Sequence, residues 1–141
     1  PLLDKKKRIV LTNFELLKKC YVPQLIGTAN IGITPAPRRI PENQISQMAK
    51  VFASTLPDGG VVKLHPGFNV YQKMARNFQE ELKYASLGKV NCISNSIIIE
   101  LEMLFEPKFF FGPRSSVSIY ASLFGSEYRT INFSGYIAPL N

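Results

Sequence analysis

The sequence is poor in the residue types from which common metal and redox sites are built. Its 141 residues include one histidine, two cysteines and no tryptophan. Cys20 and Cys92 are much farther apart than a metal-ligand or redox spacing, and one histidine cannot complete a usual zinc site. We therefore expect no metal, no resident cofactor, two idle thiols and a reducing, cytoplasmic location.

Several sequence patterns of known function are also missing. No apolar run reaches the roughly 18 residues that a membrane span needs. Gly-x-Gly-x-x-Gly and Walker loops are absent, which argues against the usual dinucleotide and P-loop sites. Gly-x-Ser-x-Gly is absent too, which argues against the nucleophile elbow of a hydrolase. Glu100 and Glu102 are expected on different faces of a helix, so they do not form an obvious pair of catalytic carboxylates.

Acidic residues are few compared with basic ones, and the formal net charge is +7. This balance favours an anionic partner: a nucleic acid, an acidic membrane surface, or a ligand with phosphate or carboxylate groups. The basic run at residues 5–8 is interpreted as a solvated tail, with a peripheral contact to an anionic inner-membrane surface as the alternative. No nucleic-acid-binding signature is present, and basic residues do not alternate with aromatic ones on the predicted strands. Nucleic acid is therefore not the expected partner.

From Asn30 onward, short apolar segments alternate with segments of helical periodicity. Strands are predicted near residues 31–34, 61–64, 90–93, 109–111 and 128–133. The predicted helix at 69–85 carries an apolar face of Val70, Met74, Phe78 and Leu82. This alternation predicts an α/β fold over residues 27–141, with a mostly parallel sheet and helices on both faces. Residues 1–26 are interpreted as a connector or the remnant of a preceding domain.

Polar residues follow the predicted strands, at the edge where parallel sheets bind ligands. Thr34 follows the first strand and is a candidate substrate contact. His65 follows the second and is held in extended backbone by Pro66. An imidazole there can donate to a phosphate oxygen or protonate a leaving group, although a lone loop histidine is more often only hydrogen-bonded. Arg38 and Arg39, after the first strand, could meet an anion or lie in solvent.

The turn Gly112-Pro-Arg-Ser-Ser116 separates the fourth strand from the helix that follows. It supplies Arg114, two hydroxyls and free backbone N–H groups at a helix N-terminus, which carries about +0.5 charge and suits a phosphate or carboxylate. The alternative interpretation is that Ser115 only caps a core helix. Because both turns are expected at one edge of the sheet, we predict that His65, Ser115 and Ser116 hold the same anion.

Three segments resemble the C-terminal half of bacterial sialyltransferases and polysialyltransferases of the GT-B type. They are Val61-Val-Lys-Leu-His-Pro66, Ile98-Ile-Glu-Leu-Glu-Met-Leu-Phe-Glu-Pro107 and Phe111-Gly-Pro-Arg-Ser-Ser-Val-Ser-Ile-Tyr-Ala-Ser-Leu-Phe-Gly125. Together they span roughly residues 28–134 in the family's order. The resemblance implies a Rossmann-like domain that holds the donor CMP-sialic acid, with catalysis in a cleft against an N-terminal domain.

The resemblance also implies a role for each matched residue. His65 would contact the donor phosphate and assist the departure of CMP, Ser115 and Ser116 would bind the phosphate, and Pro66 would fix the His65 loop. The family's general base lies in the N-terminal domain, in an acidic-acidic-Gly motif, and no equivalent is found here, because Asp58-Gly-Gly60 is predicted in a turn on the opposite edge.

The implied function is the donor-binding part of a transferase that moves sialic acid onto a surface glycan, as in capsule or lipooligosaccharide biosynthesis. The alternative is a non-catalytic α/β module that binds an anion or a nucleotide.

Overall fold

The computed structural model describes residues 15–133, in which short strands alternate with helices. The strands are β1 (Asn30–Ile33), β2 (Val61–Lys63), β3 (Asn91–Cys92), β4 (Phe109–Gly112) and β5 (Glu127–Thr130). The helices between them are α1 (Ile45–Thr55), α2 (Gln72–Ala85), α3 (Ile99–Phe105) and α4 (Val117–Phe124). Short 3₁₀ segments occupy Pro37–Arg39, Glu42–Gln44 and Pro66–Val70.

The five strands form one sheet in the order β3-β2-β1-β4-β5, and every neighbouring pair is parallel. The prediction of an α/β, Rossmann-like fold is therefore confirmed. The chain builds the sheet outward from β1 to β3 and then returns to the other side of β1 to place β4. Strand order thus reverses between β1 and β4, and a ligand crevice is expected at the carboxyl ends of these two strands.

Helices cover both faces of the sheet, as the sequence predicts. On one face α1 and α2 bury a cluster around Phe52 and Phe78, both 0% exposed, whose rings meet edge-to-face at 6.0 Å. On the other face α3 and α4 pack against Ile31 of β1 and Phe110 of β4. Gly32 lets α1 approach the sheet, since a Cβ there would lie 2.7 Å from the Phe52 ring.

The helix predicted at residues 69–85 begins later in the structure than its apolar periodicity indicates. Residues Pro66–Val70 form a 3₁₀ segment with Pro66 in its first turn, and α2 starts only at Gln72. Phe68 becomes the buried residue of that segment at 1% exposure, whereas Val70 is 80% exposed. The placement of Val70 on the apolar face is therefore wrong, because the 3₁₀ segment interrupts the helical period. The rest of that predicted face is buried: Met74, Phe78 and Leu82.

The described part of the predicted connector is hydrogen-bonded to α3. The Glu102 carboxylate is 1% exposed and accepts hydrogen bonds from the backbone N–H of Gln24 at 2.9 Å and of Leu25 at 2.7 Å. It also bonds the Tyr21 phenol; burial and this bond raise the pKa of Tyr21 to about 12. Residues 21–25 are thus fixed on α3 by a buried charge.

A second buried charge fixes the next residues of that segment. The Lys108 ammonium is 1% exposed and donates to the carbonyls of Leu25 at 2.5 Å and Thr28 at 2.8 Å. It also pairs with Glu106 at 2.9 Å, and this hydrogen bond, with one from the Gly27 N–H, lowers the pKa of Glu106. The chain entering β1 is therefore part of the domain's packing. Whether residues 1–26 derive from a preceding domain stays a prediction.

Two other expectations concern membranes. Within residues 15–133, no helix combines the length and the hydropathy required to cross a bilayer. The basic run at residues 5–8 lies outside the described residues, so its proposed contact with a membrane surface stays a prediction.

Candidate functional site

A cavity of about 410 Å³ lies at the carboxyl ends of the strands, beside the point where strand order reverses. Its walls come from the end of β1, the loops after β2 and β3, the N-terminus of α3 and the turn before α4. The polar residues that line it are Lys63, His65, Asn95, Glu100, Ser115 and Ser116. The structure thus brings together His65, Pro66 and both serines, which the sequence places about fifty residues apart.

The His65 loop is held by hydrogen bonds on both sides of the residue. The Thr34 hydroxyl accepts a hydrogen bond from the His65 backbone N–H at 2.8 Å, and the Gly67 N–H donates to His65 Nδ1 at 2.9 Å. The His65 backbone is extended, with φ −58° and ψ 141°, as expected before Pro66. A Cβ at Gly67 would lie 3.1 Å from Nδ1, so the small residue lets the amide approach the ring.

These contacts define the protonation of the imidazole. Nδ1 accepts the Gly67 N–H, so the neutral ring carries its hydrogen on Nε2. Burial and the nearby positive charge of Arg38 both lower the pKa of His65 below its usual 6.5. At neutral pH the ring is therefore uncharged, with Nε2–H as its donor.

The turn at residues 113–116, here called the serine turn, leads directly into α4. The Ser115 hydroxyl accepts a hydrogen bond from the Val117 N–H at 3.2 Å, and the Ser115 carbonyl accepts one from the Ser118 hydroxyl at 2.6 Å. Ser116 is the residue before the helix and makes no side-chain capping bond. The interpretation of Ser115 as a helix cap therefore agrees with its contacts, and Ser116 is left open to the cavity.

Two predicted substrate contacts do not line the cavity. Arg114 is exposed, and it is absent from the lining residues. Thr34 is 1% exposed, and its hydroxyl is engaged by the His65 N–H. Thr34 therefore supports the His65 loop from behind, and a direct contact of either residue with substrate stays a prediction.

Lys63 and Glu100 line the cavity and were missed by the sequence reasoning. The Lys63 ammonium donates to the Asn95 carbonyl at 2.9 Å, and burial lowers its pKa while the Glu100 charge acts in the opposite direction. Lys63 precedes His65 by two residues at the end of a strand, and side chains at that spacing lie on the same face of a strand. This spacing was the one feature of the sequence that could have indicated Lys63 as a site residue. Glu100 gave no such signal, because only the fold brings the start of α3 to this edge.

Acidic and metal-binding groups are sparse around the cavity. Asp58 lies in the turn before β2, at the opposite edge of the sheet, where it pairs with Lys89 at 3.5 Å. Across residues 15–133, no three or more His, Cys, Asp or Glu side chains gather in a group that could hold a metal ion. Glu100 is the one carboxylate among the residues that line the cavity.

Comparison of the chain with protein-family models, curated proteins and solved structures gave no match. The function is therefore inferred from the sequence resemblance together with the chemistry of the cavity.

Proposed function

We propose that this domain binds the donor of an inverting sialyl- or polysialyltransferase, which transfers sialic acid from CMP-sialic acid to a surface glycan. The observation that carries this proposal is the cavity shared by His65 and the serine turn at the strand reversal. Its volume of about 410 Å³ lies within the range of small-molecule sites, about 300–1,000 Å³.

The donors around the cavity suit a phosphate that gains charge as CMP departs. The His65 Nε2–H would donate to a phosphate oxygen, and the Ser116 hydroxyl and the N-terminus of α4 would meet the same group. Such preorganised donors stabilise charge that develops in a transition state. A neutral imidazole would keep this proton and stabilise the developing charge through the hydrogen bond alone, because a neutral ring that lost its Nε2 proton would become an imidazolate.

Lys63 and Glu100 extend this proposal from the phosphate to the rest of the nucleotide. A carboxylate repels phosphate, so Glu100 would accept hydrogen bonds from sugar hydroxyls or from an amino group instead. The Lys63 ammonium also lines the cavity, and its positive charge offsets that of Glu100. The cavity thus offers acceptors to the nucleoside and donors to its phosphate.

The acceptor hydroxyl needs a base, and Glu100, the one carboxylate among the described residues that line the cavity, is assigned here to the nucleoside. Glu100 interacts with the Lys63 ammonium, and Asp58 lies at the opposite edge of the sheet. We propose that an N-terminal domain of the full enzyme supplies the base and binds the glycan acceptor. The domain by itself would bind donor without transferring sialic acid.

Calorimetric titration with CMP, UMP, AMP and inorganic phosphate tests the proposal. CMP should bind more tightly than the other ligands. Ser116→Ala and His65→Ala should each weaken CMP binding at least about tenfold, because a hydrogen bond to a charged group is worth about 1.5–3 kcal/mol. Ser54→Ala is the matched control, since its hydroxyl bonds a carbonyl within α1. Absent CMP binding, or equal affinity in all variants, would overturn the proposal.

A non-catalytic anion- or nucleotide-binding module is the second candidate. It is favoured by one observation, that Glu100 is the one carboxylate among the described residues that line the cavity, so the cavity lacks a pair of acidic groups for acid–base catalysis. This candidate predicts similar affinities for CMP, UMP and AMP in the same titrations. A clear preference for CMP would decide against it.

A further inference from the structure

We infer that Tyr128 is the positioning residue of the serine turn and that it keeps the Ser115 hydroxyl on the Val117 N–H, so that Ser116 is the serine that meets the phosphate. This inference rests on the proposed function and refines the expectation that both serines bind phosphate. The two serines are adjacent in sequence, but their hydrogen bonds differ.

Tyr128 holds the start of the serine turn. Its phenol donates a hydrogen bond to the Pro113 carbonyl at the start of the turn. The Ser115 hydroxyl, two residues further along the turn, lies near enough to the phenol to lower the pKa of Tyr128 against the larger effect of burial. One side chain from an edge strand thus fixes the path of the backbone between β4 and α4.

The sheet places the Tyr128 phenol where it can make these contacts. Tyr128 pairs in register with Phe110 across the parallel β4–β5 ladder, and their rings stack with centroids 6.3 Å apart. Gly112 leaves room for the hydroxyl, since a Cβ there would lie 2.9 Å from the Tyr128 oxygen. Burial raises the pKa of Tyr128 to about 12, so the phenol keeps its proton and remains a donor at neutral pH.

The Ser115 hydroxyl has less hydrogen-bonding capacity available for a ligand than the Ser116 hydroxyl. Its hydroxyl accepts from the Val117 N–H at 3.2 Å and lies beside the buried Tyr128 phenol. Ser116 is exposed, lines the cavity and makes no side-chain hydrogen bond with any residue between 15 and 133. The Ser116 hydroxyl is therefore the one that a phosphate can engage without breaking the turn.

The first test needs no ligand. In Tyr128→Phe, the Val117 amide should exchange with deuterium at least about fivefold faster, because the hydrogen bond that holds the Pro113 carbonyl, and with it the turn that carries the Ser115 acceptor, is lost. The rest of α4 should keep its protection, which separates this effect from unfolding of the helix. Tyr84→Phe is the matched control, since Tyr84 is 83% exposed on α2. Unchanged exchange at Val117 would overturn the positioning role.

The second test measures how much the phosphate adds to binding, as the ratio of the affinities for CMP and cytidine. Ser116→Ala should lower this ratio about tenfold, which corresponds to about 1.4 kcal/mol. Tyr128→Phe and Ser115→Ala should each lower it about threefold, because they affect the phosphate only through the shape of the turn. Cytidine affinity should not change, whereas general damage to the site would reduce both affinities. Tyr84→Phe should leave the ratio unchanged.

The outcomes separate the inference from the function on which it rests. A wild-type chain that does not prefer CMP over cytidine would overturn the proposed function, and the Ser116 assignment with it. A wild-type preference that survives in Ser116→Ala but is lost in Ser115→Ala would overturn this inference alone. If Tyr128→Phe keeps the full wild-type preference for CMP over cytidine, the positioning role of Tyr128 is overturned.

Discussion

Replacing Glu102 by glutamine should destabilise the domain, because this carboxylate holds the chain that enters β1. Glu102 is 1% exposed, and its two oxygens accept three hydrogen bonds of 2.7 to 2.9 Å from the backbone N–H groups of Gln24 and Leu25. Glutamine keeps the shape and one acceptor oxygen. The other oxygen is replaced by the amide NH₂, a donor, which would face the donating N–H of Gln24.

The magnitude follows from the lost charge and the lost acceptor. Hydrogen bonds to a charged group are worth about 1.5–3 kcal/mol each, against about 0.5–1.5 kcal/mol for neutral ones. We expect the free energy of unfolding of Glu102→Gln to fall by about 2–3 kcal/mol. For a domain of this size the corresponding fall in Tm is roughly 6–15 °C.

Urea denaturation followed by circular dichroism measures this loss. Glu80→Gln is the matched control, because Glu80 is exposed on α2 and its replacement should change stability by less than about 0.5 kcal/mol. Hydrogen exchange at the Leu25 amide gives the local readout and should accelerate only in Glu102→Gln. A Glu102→Gln variant as stable as the control would refute the reasoning, since residues 24 and 25 would then be held by something other than the carboxylate.

Three further predictions concern single residues. Gly112→Ala should lower stability by about 1–3 kcal/mol in urea titrations, because its Cβ would lie 2.5 Å from the Ile33 carbonyl oxygen, and a wild-type midpoint would contradict this. The pKa of His65 is lowered on folding, so the unfolded chain takes up the proton first and stability should fall as pH drops below about 6.5. His65→Gln should remove that part of the pH dependence, and an identical pH profile in the variant would count against it. Cys20 is exposed, whereas burial raises the pKa of Cys92 to about 12, so a thiol reagent at pH 8 should modify the native chain rapidly at Cys20 alone, and equally fast reaction of both thiols would be inconsistent with the structure.

The fold could be predicted because its signals are local and repeated. The helical spacing of apolar residues in α1 is visible in the sequence, and four of the five residues it predicts on the apolar face are buried: Ile45, Met48, Ala49 and Phe52, with Ala53 half-buried. The alternation of such helices with short apolar strands indicates a parallel sheet without knowledge of any long-range contact. Boundaries were less predictable, because Pro66 starts a 3₁₀ segment whose burial of Phe68 does not follow the helical period.

The site could be predicted only in part. A parallel sheet brings the ends of its strands to one edge, so the approach of His65 and the serine turn followed from topology. Glu100 and Tyr128 reach the same region from elements that carry no local sign of it. Tyr128 lies 15 residues beyond Pro113, and their contact depends on the register of β4 with β5.

The amide bond that fixes the His65 ring also restricts the chemistry of any inhibitor of this pocket. Because Gly67 already occupies Nδ1, the imidazole offers an incoming molecule one hydrogen and no lone pair. Phosphonates, sulfonates and carboxylates present the acceptor that such a ring requires. Amidines and amines present donors and would be rejected at this position, so a fragment screen should return acids from this corner of the domain.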